Sequence, residues 1–287
     1  MKKRILILSL LCFFSSLDSA TLPVKRVKLT STFGESRKDH FHNGMDFGGG
    51  VQSVHAIEDG KIIFFSDKDD FPFNNYFGSG NYVIVDHKKT RSYYMHLEDG
   101  SVNKTNISVK EDAILGKTSD TGHSYGIHLH FTLENKQPNQ ILNPLLFFKE
   151  AITDNVRPRI ERFMVKVDDS DPVIISQSHQ IPAGSEITLL INAYDTLQNN
   201  NNKMGVYKIT CYLNNDKLTE YIFDRLNVKN NFYYLNPSYS FKDIYLDKYT
   251  YIIGKFPIKE KEYTIKVVVE DFAGNTAQTE KTLKITQ

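Results

Sequence analysis

The chain has 287 residues, a formal charge of +1 and 40% apolar residues. Its length fits two domains or one large one, and the near-neutral balance excludes the strongly basic footprint of a nucleic-acid binder. It has two cysteines, Cys12 and Cys211, which excludes a disulfide-stapled scaffold.

Residues 1–20 read as an export signal. Lys2, Lys3 and Arg4 are a basic start, residues 5–14 are largely apolar but short for a bilayer span, and Ser15, Ser16, Ser19 and Ala20 offer small residues for cleavage. Leu11 before Cys12 is too large for a lipidation signal. Retention of the leader as an anchor is the other reading. Once the leader is removed, no segment is apolar enough to span a membrane, and Cys211 is the one cysteine left.

Residues 24–150 carry short β runs broken by Gly, Asn and Asp: KIIFFS, NYVIVDH, RSYYMHL and IHLHFTL, rich in β-branched and aromatic residues. No long helical period interrupts them. The stretch TDNVRPR reads as a linker. Residues 158–287 restart with ERFMVKV, EITLLINAYD, VYKITCYL, YTIKVVVED and EKTLKIT at sandwich-like intervals. The predicted fold class is therefore all-β, with two domains after the leader.

Histidine usage points the chemistry to the first domain: of nine His, eight lie at or before His130. The run FHNGMDF sets His42 and Asp46 four residues apart. On a straight strand they would lie roughly 13 Å apart along it, too far for one ion with bonds of about 2 Å. In a helix, Gly44 would cost about 1 kcal/mol. If the pair shares a metal, the chain bends at Asn43-Gly44; otherwise the run is a polar turn. In IHLHF, His128 and His130 share one strand face roughly 6–7 Å apart, with Ile127, Leu129 and Phe131 directed to a core. Either histidine could be a ligand.

Three motifs in order, H-x-G-x-D at His42, Y-x-H-L at His96 and T-G-x-x-x-G-x-H-L-H-F at His128, resemble the lysostaphin-type zinc metallopeptidases that cut bacterial peptidoglycan. The resemblance covers about residues 28–146. It implies an antiparallel β-sheet peptidase domain and one zinc per chain on His42, Asp46 and His130. It implies His96 and His128 as the catalytic pair, one taking a proton from water and one stabilising the oxyanion. Peptidoglycan is the implied partner, with D,D cross-links between stem peptides the favoured bond and the periplasm or cell envelope the implied location. A non-catalytic peptidase-like regulator, or a wall-binding surface protein, is the alternative; such relatives usually lack some of these five residues. Ile127 stands where family members often have Pro. The long insertion at residues 66–80 offers Phe73, Tyr76 and Phe77 as substrate contacts, or is a variable surface loop. His40, His55, His87, His123 and His179 match no ligand position.

The second domain resembles an immunoglobulin-like β-sandwich, with a spacer or binding role toward an envelope protein partner. Asp271, Gly274 and Asn275 form a D-x-x-G-N turn in which Asp and Asn cap their own backbone; a calcium site using Asp195, Asp271 and Asn275 is the other use of these residues.

Overall fold

The computed structural model describes residues 21–70, 78–105, 107–176, 178–198, 200–235 and 238–286. The leader and the candidate contacts Phe73, Tyr76 and Phe77 lie outside the described residues.

The chain is all-β. Helix among the described residues is confined to the single turns Leu145–Phe148 and Phe241–Ile244 and the 3-10 turn Lys149–Ala151. The first half is organised on a 10-stranded sheet. At its centre Leu129–Asn135 pairs on one side with Thr90–Leu97, which pairs with Asn81–Asp86 and then Gly60–Ser66. Its other side is shared end to end: Met45–Phe47 pairs with residues 129–131, and Gln140–Leu142 with residues 133–135. Strand alternation sorts the faces. Met45, Phe47, Val83, Val85, Tyr94, Leu129, Phe131 and Leu133 go inward to one core, closed by Leu145 and Phe148. Ile127 does not join them: it is 40% exposed, because the strand begins only at Leu129, after the turn at Gly126.

The second half forms two 5-stranded sheets. One centres on Arg159–Val167, Glu186–Tyr194 and Thr250–Pro257, the other on Lys208–Leu213, Glu262–Glu270 and Thr276–Thr286. Phe163, Val165, Ile187, Leu189 and Ile191 of the first meet Ile209, Cys211, Ile265, Val267 and Val269 of the second in one core, so the pair is a sandwich. Burial of Cys211 pushes its thiol up to about 12, which makes it a packing residue.

The two halves are joined by backbone. The hairpin Arg225–Lys229 and Phe232–Leu235, from the second half, extends the first sheet by pairing with Gln140–Leu142. Phe33 and Phe41, from the first half, are 2% and 1% exposed inside the sandwich core. Burial of each side chain contributes about 1.5–3 kcal/mol. Polar groups cross the same seam. The Gly205 amide donates to Glu35 Oε1 at 3.0 Å, the Tyr245 hydroxyl to the Gly34 carbonyl at 2.8 Å, and the Asn143 side chain to the Phe223 carbonyl at 2.8 Å.

Candidate metal centre

Strand register brings the first pair of polar residues together. Asp46 lies directly opposite His130, on the face away from the core that takes Met45 and Phe47. Directly opposed side chains on one face are neighbours, about 4.5–5.5 Å apart at Cβ. His42 enters from the turn before the Met45–Phe47 strand. Its Nδ1 donates to the Thr32 carbonyl at 2.7 Å, which leaves Nε2 with its lone pair aimed at the others.

Three donor atoms result: His42 Nε2, Asp46 Oδ1 and His130 Nδ1. Their separations are 3.1 Å from His42 to Asp46, 3.1 Å from His42 to His130, and 3.0 Å from His130 to Asp46. An ion held tetrahedrally by bonds of about 2.0–2.1 Å sets its ligands about 3.3 Å apart. The donor set, two imidazoles and a carboxylate with a common focus, fits zinc. The second nitrogen of His130 stands 3.0 Å from Thr132 Oγ1, and the second oxygen of Asp46 accepts from Arg37 at 2.9 Å. Such outer contacts fix ring and carboxylate orientation.

Gly44 is needed here for close approach. A Cβ on it would lie 2.4 Å from the Phe131 carbonyl oxygen and 2.8 Å from His130 Nε2. The bend expected at Asn43-Gly44 is present, but the demand on Gly44 comes from the strand and imidazole packed against it, since its φ is not positive.

His96 and His128 stand beside the three donors. The two rings are 4.7 Å apart at their centroids, and His128 Nε2 is 3.8 Å from Asp46 Oδ1. His96 Nδ1 donates to the Thr121 carbonyl at 2.7 Å and His128 Nδ1 to the Gly126 carbonyl at 2.8 Å, so each presents Nε2 as its remaining nitrogen. Simple alternation would send His96 toward the core beside Tyr94. The chain prevents this with a β-bulge. Asn81 pairs with Leu97 and Tyr82 with Met95, leaving His96 as the extra residue, at φ 61°. Bulges re-aim side chains in this way.

Electrostatics follow from burial. Burial raises the Asp46 carboxyl, but with no ion bound a proton on the facing nitrogen of His42, and hydrogen bonds from His130 and His42, outweigh it and hold the group well below the usual carboxylate range. Burial lowers His130. Burial, then the neighbouring His128 and His130, lower His96 to about 4, against the opposing Thr121 hydrogen bond.

Sequence reading missed the frame around these residues. Arg37 bridges Asp46 and Glu35, and Glu35 is 2% exposed and bound by Thr32 and Gly205. The charged GESR run before His42 was the available signal. The Thr32 and Thr121 carbonyls had none, since any residue supplies a carbonyl. His55 and His87 are buried elsewhere: His55 bonds the Asp112 carbonyl, and His87 bonds the Asp59 carbonyl and Ser92.

Residues 40–144 match the model of peptidase family M23, and residues 157–286 match a second family model that carries no functional description. A glycyl-glycine endopeptidase, ALE-1, of Staphylococcus capitis is 34% identical over 114 residues, covering 38% of this chain and 30% of that protein. Lysostaphin of Staphylococcus simulans is 32% identical over 114 residues, covering 38% of this chain and 22% of that protein. The chain thus spans under a third of the length of these curated relatives. The solved catalytic domain of lysostaphin from Staphylococcus simulans aligns at 28% identity with a TM-score of 0.35, covering 43% of this chain and 92% of that one. On the family match and these relatives, residues 40–144 are similar to peptidase family M23.

Proposed function

We propose that the chain is an exported zinc endopeptidase that hydrolyses peptide bonds of bacterial peptidoglycan, acting on D,D cross-links between stem peptides. The observation that carries this reading is the common focus of His42 Nε2, Asp46 Oδ1 and His130 Nδ1 with two further imidazoles beside it. Zinc held by these three residues supplies a Lewis acid and a water that loses its proton near neutral pH.

The chain's own residues do the rest. Nδ1 of His96 and of His128 is spent on a backbone carbonyl, so Nε2 of each is the nitrogen that faces the reacting groups. One of the two takes the proton of the attacking water. Protonated, that imidazole becomes a donor and passes the proton to the leaving amine. The other, carrying a proton on Nε2 as well as on Nδ1, donates to the developing oxyanion. Arg37 holds the outer oxygen of Asp46 and keeps the inner one directed at the focus.

Both halves of the chain border the substrate groove. The Asn43 side chain, next to His42, donates to the Tyr233 hydroxyl at 3.1 Å, so the hairpin from the second half walls one side. Phe73, Tyr76 and Phe77 are kept as candidate substrate contacts on their sequence alone. The sandwich then serves as a spacer or as the docking face for an envelope protein. The name of the Staphylococcus capitis relative favours a second reading, cleavage of glycine bridges.

Mass spectrometry of muropeptides after digestion of purified sacculi separates these readings. Loss of dimers cross-linked between stem peptides supports the D,D assignment. Release of glycine-terminated peptides only from glycine-bridged walls supports the second. No change in either substrate with zinc-loaded protein defeats both and leaves a non-catalytic role.

A further inference from the structure

A second cluster of metal-grade groups lies away from the histidines. Asp154, Asp195 and Asp271 come from three separate segments: the stretch joining the halves, the residue after strand Glu186–Tyr194, and the residue after strand Glu262–Glu270. They are 6%, 3% and 1% exposed, and each offers an oxygen within 4.8 Å of the others.

Asp271 behaves as its turn motif predicts. Its Oδ1 accepts the amides of Ala273 and Asn275, each at 2.9 Å, and its Oδ2 accepts from the Asn275 side chain at 2.9 Å. Turn capping, however, leaves the other two unexplained. Asp154 Oδ1 accepts the Val156 amide at 2.9 Å, while its Oδ2 is buried with no hydrogen-bond partner. Asp195 Oδ1 is likewise buried and unpartnered. Buried polar atoms are normally satisfied, and buried charges are normally paired or bound to metal. The charged groups that bear on Asp195 are Asp154 and Asp271, both of its own sign. Burial first, then these two carboxylates, push Asp195 up to about 8.

We propose that Asp154, Asp195 and Asp271 form a calcium site that fastens the inter-half stretch to one end of the sandwich. The donor set is all oxygen and anionic, which selects a hard divalent cation over zinc. A spread of up to 4.8 Å accommodates two oxygens on opposite sides of Ca²⁺ with bonds of about 2.4 Å, and is wide for Mg²⁺ with bonds of about 2.0–2.1 Å. The two unpartnered oxygens are the ones the ion would take up. The surroundings give the site a structural task. Ile152, Met204 and Phe272, two residues before Asp154, on the bridge opposite Asp195 and next to Asp271, belong to the core of the first half. An ion on the three carboxylates therefore ties together segments that both halves pack against.

The test uses the full chain saturated with zinc, so that the histidine site is silent, and has no hydrolysis in it. Calcium chloride is titrated calorimetrically into protein stripped with chelator and then reloaded with zinc, and thermal unfolding is followed with and without calcium at about 1 mM, the range of weak exported sites. One Ca²⁺ per chain and a rise in Tm of several degrees are expected. Asp195→Asn should bind calcium at least about tenfold more weakly, while its calcium-free Tm equals or exceeds that of the parent, because a buried acid that must be held protonated is replaced by a neutral amide. Asp154→Asn is the second variant should the first not fold. Absence of binding and of any Tm shift overturns the proposal. So does a shift that survives both substitutions, or magnesium matching calcium in affinity and Tm.

Discussion

Replacing His96 by alanine separates metal binding from proton handling. The side chain is 6% exposed and hydrogen-bonded to the Thr121 carbonyl, so truncation removes one hydrogen bond, worth about 1 kcal/mol, and leaves a small void worth about 1–2 kcal/mol. The left-handed φ of 61° is as strained for Ala as for His, so backbone strain does not change. A total near 2–3 kcal/mol lowers Tm by about 4–10 °C without unfolding the chain. Zinc should stay, because His96 is not among the three donors that meet at one point. Hydrolysis should fall about 10²–10⁴-fold, or about 3–5 kcal/mol of barrier. His96→Gly relieves the backbone, so its Tm should recover by about 1 kcal/mol equivalent while activity stays lost. The assays are zinc per chain by plasma emission spectrometry and muropeptide release from sacculi. Zinc loss in His96→Ala, or hydrolysis within about threefold of the parent, refutes the reasoning.

Asp46→Ala should lose most of the zinc, because it removes the one anionic donor and leaves Arg37 facing the focus; stoichiometric zinc in that variant would sink the ligand set. Gly44→Ala should be poorly folded or zinc-poor, since its Cβ would lie 2.4 Å from a backbone oxygen, and a parent-like Tm would show otherwise. Zinc-stripped protein should lose stability as pH falls. Unfolded His96 takes a proton below about 6.5 and the folded one only at about 4, so the contribution is complete above 6.5 and fades toward 4, by about 3 kcal/mol in all. Urea melts of the metal-free protein across that window check it, and His96→Asn should flatten the slope. Residues 21–150 alone should be insoluble or molten, because Phe33, Phe41 and the edge of Gln140–Leu142 would be bared. A cooperative melt from that fragment would overturn this expectation.

Legibility in the sequence followed period. Strands such as Asn81–Asp86 and Glu262–Glu270 announce themselves because alternate residues are apolar on one face. The hairpin of Arg225–Lys229 and Phe232–Leu235 did not, since only Leu226 and Leu235 in it are buried and the strand it pairs with, Gln140–Leu142, is distant in sequence. The H-x-G-x-D and H-L-H runs pointed to the residues whose donor atoms meet. The bulge that turns His96 outward was invisible, because pairing register depends on which strand lies alongside. Asp154 read as linker, since nothing in TDNVRPR tells that its carboxylate is buried against two others.

The seam at Gln140–Leu142 also bears on how such a chain is inherited. A crossover event at residues 150–158 would give a recipient gene a catalytic half with an open sheet edge and two phenylalanines that nothing covers. The donor would be left with a sandwich whose core has two holes where Phe33 and Phe41 belong. Descendants of this arrangement should therefore travel as one piece, and a lineage that trades its second half must first evolve a substitute for the hairpin. Tyr233 would be lost in the same exchange, so a new second half would bring a new groove wall with it.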